Sequence, residues 1–129
     1  MILALCMSGC ANKKGGLKII LPQWKEAWNS GDLSKIVSLY HPKSKTVRLY
    51  NSDNESRKEG EIEFNEMIDE YGKIEKWEIG EYNKSEKQYN VRITYTKKGT
   101  RTVFFSVAKD SNGTWLIMSI NFMQYGIPL

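Results

Sequence analysis

The sequence predicts an α+β domain with its helices toward the N-terminus and an antiparallel sheet after them. Two observations carry this. Apolar residues recur every three or four positions through Leu17–Tyr40 and again through 61–71, the period of a helix with one buried face. From Ile74 onward the period becomes two, and the polar turns Lys97–Thr100 and Asp110–Gly113 cut that stretch into short strands suited to an antiparallel meander.

The first helix is placed at Leu21-Pro22, because proline suits a first helical position. Leu17, Ile20, Leu21, Trp24, Ala27 and Trp28 form its apolar stripe, and Gly31 stands where a left-handed residue would close it. Asp32 is a good N-cap for a second, short helix carrying Leu33, Ile36, Val37 and Tyr40 on one face, stopped by His41-Pro42. Val47 and Leu49 alternate with polar neighbours, which predicts a strand over 45–50, and the polar stretch 51–60 reads as a loop. A third helix follows over 61–71, with Ile62, Phe64, Met67, Ile68 and Tyr71 inward and Gly72 as its cap.

Trp77 and Ile79 open the strand region. Tyr89, Val91, Ile93 and Tyr95 alternate cleanly with Asn90, Arg92, Thr94 and Thr96. In the last two strands both faces are apolar. Val103, Phe105 and Val107 oppose Phe104 and Ala108, while Leu116, Met118, Ile120 and Phe122 oppose Trp115, Ile117 and Met123. A sheet apolar on both sides needs cover on both sides. The sequence therefore predicts an interface at Phe104, Ala108, Trp115 and Ile117, most simply in a homodimer, with the tail 125–129 as the competing cover.

Charge and cysteine usage restrict the function classes. The net charge is +4, but residues 13–48 carry eight basic and two acidic groups, residues 49–86 five and twelve, and residues 87–129 six and one. An acidic middle third interrupts any continuous basic stripe and argues against nucleic acid. Cys6 and Cys10 are the only thiols and there is one histidine, so neither a structural metal nor a cofactor is implied. The acidic run 53–69 lacks the alternating ligand loop and central glycine of a calcium site.

The N-terminus reads M-I-L-A-L-C-M-S-G-C-A-N-K-K-G-G. Its apolar run, Ser8-Gly9-Cys10 and polar basic spacer resemble the signal peptide and lipobox of a bacterial lipoprotein. The resemblance implies a signal peptide over 1–9, acylation of Cys10, a flexible tether over 10–16, a single domain over 17–129, and attachment to the membrane of a bacterial cell envelope. No run approaches the roughly 20 apolar residues that a spanning helix needs.

The order helix, helix, strand, helix and four strands resembles the nuclear transport factor 2-like (cystatin-like) fold, a curved antiparallel sheet wrapped as a cone around its helices. The resemblance covers about residues 17–124. It rests on Trp24-x-x-x-Trp28-x-x-Gly31-Asp32 ending in Leu39-Tyr40, on Phe64 to Gly72, and on Asp110-Ser111-Asn112-Gly113-Thr114-Trp115-x-Ile117. That fold hosts isomerase-like and dehydratase-like enzymes, which need a carboxylate or histidine base inside the cone and a donor opposite it. No Asp, Glu or His falls at mid-strand on the inward faces, since Glu75, Glu81, Arg101 and Lys109 lie at strand ends. Lys43 stands where the isomerase resemblance would place an acid. His41 reads as a helix-end dipole partner, and Asp69 and Glu70 as a solvated helix face. No catalytic residue is assigned.

Trp24, Trp28, Tyr40, Tyr71, Trp77 and Tyr95 are the candidates for an aromatic pocket, and the same residues suit a packed core. The expected function is non-catalytic binding or docking by a lipid-anchored envelope protein, with a small ligand or an envelope protein as partner. A small isomerase, dehydratase or hydrolase, or a pure dimerisation or assembly domain, are the alternatives.

Overall fold

The computed structural model describes the backbone of residues 2–122 and the side chains of residues 13–122. Four helices, α1 (Ile2–Ser30), α2 (Leu33–Ser38), α3 (Lys45–Tyr50) and α4 (Asn54–Tyr71), precede four strands, β1 (Ile74–Asn83), β2 (Gln88–Tyr95), β3 (Gly99–Lys109) and β4 (Trp115–Phe122). The strands form one antiparallel meander in the order β1-β2-β3-β4, with the helices on one face.

This corrects the expected fold class. The sheet is open and flat, with β1 and β4 as its edge strands, the latter bridged at Ile117 by the segment Leu39–His41, and it does not curl into a cone. The strand expected over 45–50, which helped carry the resemblance, is the helix α3. Ser44 is its N-cap, accepting the Val47 N–H on its side chain, and a six-residue alternation is too short to outweigh that cap.

The helix α1 begins far upstream of Pro22 and runs through it, and the backbone of the expected tether 10–16 is helical. Pro22 is exposed, as is Lys18, whose carbonyl loses its helical donor, so water can replace the missing bond. On the opposite side Leu17, Ile20, Leu21, Trp24, Ala27 and Trp28 are all buried, and this packing outweighs the local cost of the proline. Gly16 belongs to the same contact, because a Cβ there would collide with the Trp115 ring. The acylation expected at Cys10 concerns a side chain outside the described residues.

The C-terminus of α1 closes as its sequence requires. Gly31 has φ 70°, its N–H reaches Trp28 O at 3.0 Å, and the Asp32 N–H reaches Ala27 O at 3.3 Å, the paired bonds of a Schellman motif. Asp32 then caps α2 by accepting from the Ser34 and Lys35 N–H groups. Asn29 acts as a substitute strand partner. Its side chain accepts from Ile74 N at 2.7 Å and donates to Ile74 O at 3.0 Å, which fastens α1 to the start of β1.

The expected loop 51–60 is mostly helix. Asp53 caps α4 by accepting the Ser56 N–H at 2.7 Å, and the helix runs 18 residues. Phe64 and Tyr71 are buried, and Met67 and Ile68 pack against the core. Ile62 is 59% exposed, against expectation, because two residues before Phe64 is nearly the opposite side of a helix.

The inner face of the sheet is Tyr89, Val91, Ile93 and Tyr95 on β2 with Val103, Phe105 and Val107 on β3, all buried. In β4 a bulge breaks the alternation. Val107 pairs with Ile117, but Ser106 pairs with Ser119 and Phe105 with Ile120. The extra residue places Ile117, Ile120 and Phe122 on one face, although strict alternation separates the first from the other two. The outer face carries Phe104, Ala108 and Leu116 among Thr102, Ser106, Ser119 and Asn121. Much of the two-sided apolarity read from the sequence is therefore a bulge seen as alternation. Met123 and the tail 125–129, invoked as cover for that face, lie outside the described residues.

Candidate functional site

The aromatic residues of α1 join helices to sheet. Trp28 is 1% exposed and donates from Nε1 to Gly72 O at 2.9 Å, across the C-cap of α4. Its ring lies 5.5 Å from Tyr95, 5.7 Å from Phe64 and 6.2 Å from Tyr71, centroid to centroid. Trp24 meets Phe105 edge to face at 5.7 Å and Tyr40 at 6.5 Å. These spacings are those of favourable offset and edge-to-face pairs.

Beside this cluster the helices leave a pocket of about 440 Å³. Trp24 and Trp28 of α1 form its floor together with Phe122 of β4. One wall comes from Leu33, Ile36 and Val37 of α2 and from Tyr40. Thr46, Leu49 and Tyr50 of α3 form a second wall, and Ser56, Glu59, Gly60, Glu63, Phe64 and Met67 of α4 a third. The pocket exists because α2 and α3 have six residues each and cover the cluster only in part. Arg57 fixes the α3–α4 angle, donating from Nε to Tyr50 O at 3.2 Å with its guanidinium 4.8 Å from the Tyr50 ring.

The polar groups of the pocket are few. Burial holds the Tyr40 hydroxyl well above the usual phenol range, opposed by its hydrogen bond with Thr46, so it stays protonated at neutral pH. Trp24 is 4% exposed and its buried Nε1 donor has no partner. An unmet donor of this kind is costly unless an acceptor arrives. Glu59 and Glu63, both exposed and one helical turn apart, stand on the α4 side. Among the described residues, no Lys, Arg, His or Cys lines the pocket.

Of the aromatic residues named from sequence, the structure brings Trp24, Trp28 and Tyr40 to the pocket. Tyr71 and Tyr95 lie in the core, 5.0 Å apart, where burial and the neighbouring Tyr71 raise the Tyr95 hydroxyl above its ordinary range. Trp77 is half-buried on β1, paired with Ile93 and away from the pocket. Sequence reasoning missed Tyr50, Glu59 and Glu63, which fell in or beside the expected loop. The Asp53-x-x-Ser56 cap was the signal that would have placed Glu59 on a helix and the Ser44 cap the one for Tyr50, whereas Glu63 already fell in the helix expected over 61–71.

The four residues named for an interface do not share one face. Ile117 is fully buried in the chain's own core, and Trp115 packs on Gly16 of α1. Phe104 and Ala108 remain on the outer face, half-buried. His41 serves the turn after α2: its Nδ1 accepts the Lys43 N–H at 3.1 Å, and its own N–H reaches Ile117 O at 2.8 Å. Lys97 Nζ donates to Asp69 O at 2.8 Å, and Glu70 pairs with Lys98 at 2.9 Å, both contacts being exposed.

Among the described residues no group of three or more His, Cys, Asp or Glu could hold a metal ion, and no helix is long and apolar enough to cross a membrane. Compared with known proteins, the chain matches no family model, no curated protein and no solved structure. What the fold defines is a two-layer α+β domain, with helices on one face of an open four-stranded meander. The resemblance to a lipoprotein with a nuclear transport factor 2-like, cystatin-like domain is accordingly corrected: the sheet is not curled, and no relative or neighbour supports that family.

Proposed function

We propose that this chain is a non-catalytic binding domain whose helical pocket takes one small, largely apolar molecule. The pocket itself carries this reading: about 440 Å³, floored by Trp24, Trp28 and Phe122, and within the size range of small-molecule sites. Its polar equipment supports holding a ligand over transforming one. A hydroxyl kept protonated at Tyr40 and an unmet indole donor at Trp24 can orient a molecule. The hydroxyls of the lining are engaged elsewhere, Thr46 with Tyr40 and Ser56 with Asp53, and its carboxylates Glu59 and Glu63 are exposed to water.

Gly60 provides the test. It lines the pocket from the interior of α4, and a Cβ built on it meets only the Leu33 methyl, at an ordinary 3.7 Å. A Cβ can therefore be added there without moving backbone, and a longer side chain grows from it into the pocket space. The neutral dye N-phenyl-1-naphthylamine should show a saturable, one-to-one fluorescence rise with the wild-type protein. Gly60→Leu should remove that rise while the circular dichroism spectrum is unchanged. Absence of saturable binding to the wild type, or equal binding by a folded Gly60→Leu, refutes the proposal.

A further inference from the structure

Resting on that reading, we infer that the ligand is a neutral ketone or ester, its carbonyl oxygen accepting from the Trp24 indole and its apolar body filling the space between the helices. Two donors of the lining are unspent. Trp24 is 4% exposed, and its Nε1 is buried with no acceptor in the protein. Tyr40 and Thr46 are hydrogen-bonded to each other, and such a bond uses one of the two hydroxyl protons. Whichever of them donates, one proton of the pair is left over. The Trp24 and Tyr40 rings meet edge to face with centroids 6.5 Å apart, so both donors belong to one end of the pocket. The Tyr95 hydroxyl is unpartnered too, but it lies in the core outside this lining.

A pocket end that holds donors calls for an acceptor, and the rest of the lining restricts which kind. An ammonium brings only donors and leaves the indole unmet. A carboxylate accepts, but it would leave water for a lining that, among the described residues, has two carboxylates and no positive side chain to pair with it. A hydrocarbon fills the space and leaves the buried N–H as costly as before. A ketone or ester supplies an acceptor without burying a further donor, and it carries no charge out of water.

The test uses butyrophenone and n-butylbenzene, which share one carbon skeleton and differ by a carbonyl in place of a methylene, with 4-phenylbutyrate as the anion. Each displaces N-phenyl-1-naphthylamine from the full chain at neutral pH. Trp24→Phe keeps a ring at the pocket and removes the donor. It should weaken butyrophenone about three- to tenfold relative to n-butylbenzene, the size of one net hydrogen bond. In the wild type 4-phenylbutyrate should be the weakest of the three. A second measurement needs no variant: the infrared carbonyl band of butyrophenone bound to the wild type should lie below its frequency in hexane, as a hydrogen-bonded carbonyl does. Equal losses for ketone and hydrocarbon in Trp24→Phe overturn the inference and leave the apolar pocket standing, as does a bound carbonyl band at the hexane position or a preference for 4-phenylbutyrate. Failure of the dye to bind the wild type removes the pocket reading itself, and the inference with it.

Discussion

Replacing Trp28 tests the joint between the two layers. The residue is 1% exposed, touches four aromatic rings and donates to the Gly72 carbonyl at 2.9 Å. Trp28→Ala removes the apolar burial, opens a cavity in the centre of the cluster and leaves that carbonyl without its donor. Truncations of buried aromatic residues cost about 3–5 kcal/mol, and an orphaned buried acceptor about 1–3 kcal/mol within or beyond that figure. Trp28→Phe keeps most of the ring and loses the bond, so its cost should sit near the lower of those two ranges, about 1–3 kcal/mol. With a urea slope of about 1–3 kcal/mol per molar, the alanine variant should unfold roughly 2 M earlier than wild type, with the phenylalanine variant between them. The assay is equilibrium urea unfolding followed by far-UV circular dichroism, which does not depend on the tryptophan removed. A loss below about 1 kcal/mol for Trp28→Ala would refute the placement of this ring at the centre of the core.

Pro22→Ala should raise the urea midpoint by the equivalent of about 1–3 kcal/mol, because an exposed interior helical position regains its bond to Lys18; no gain would place Pro22 at a helix start instead. In β4, Ile117→Ala should cost about 2–5 kcal/mol and Met118→Ala clearly less in the same assay, the order reversing if the strand alternated without its bulge. Asp32 and Asp53 each cap a helix, and hydrogen bonds from Ser34 and Ser56 hold their carboxyls below the usual value of 3.8. A lowered folded-state pKa contributes stability above the unfolded value that is lost as pH falls through the folded one. The urea-midpoint advantage of wild type over Asp32→Ala should thus hold at neutral pH and fade below about pH 4, whereas Asp32→Asn, which caps without charge, should give a smaller deficit at neutral pH.

The parts of the fold legible in the sequence were those where one strong local signal agreed with burial. The α1 stripe from Leu17 to Trp28, the Gly31-Asp32 stop and restart, the β2 alternation and the turns at Gly99 and Gly113 all have this character. Errors arose where two local signals competed. Pro22 suits a first helical position, and only contacts distant in sequence, such as Trp115 on Gly16, reveal that the helix continues upstream. Val47 and Leu49 fit a strand or a short helix equally, and the Ser44 cap decided it. A bulge cannot be read from one strand alone, because it is defined by the pairing of two. Three pocket residues were legible as aromatic and apolar, but Glu59 was not, since its place on a helix depends on where α4 begins.

The same geometry makes core and pocket inseparable at Trp24. Its ring is a structural member of the cluster through Phe105 and Trp28, while its nitrogen has no partner within the protein. A purely structural residue at this depth would serve better as phenylalanine, which fills similar space without burying a donor that costs about 1–3 kcal/mol when unmet. The Tyr95 hydroxyl, in the core and away from the pocket, lacks a partner in the same way, so what singles out the Trp24 nitrogen is its place in the pocket lining, where a ligand or ordered water can bring an acceptor. Trp24→Phe separates the two accounts: stability of the free protein should stay level or rise, and affinity for an acceptor-bearing probe such as 1-octanol should fall. If stability drops and octanol affinity is unchanged, the indole nitrogen is satisfied within the fold and the pocket has no use for it.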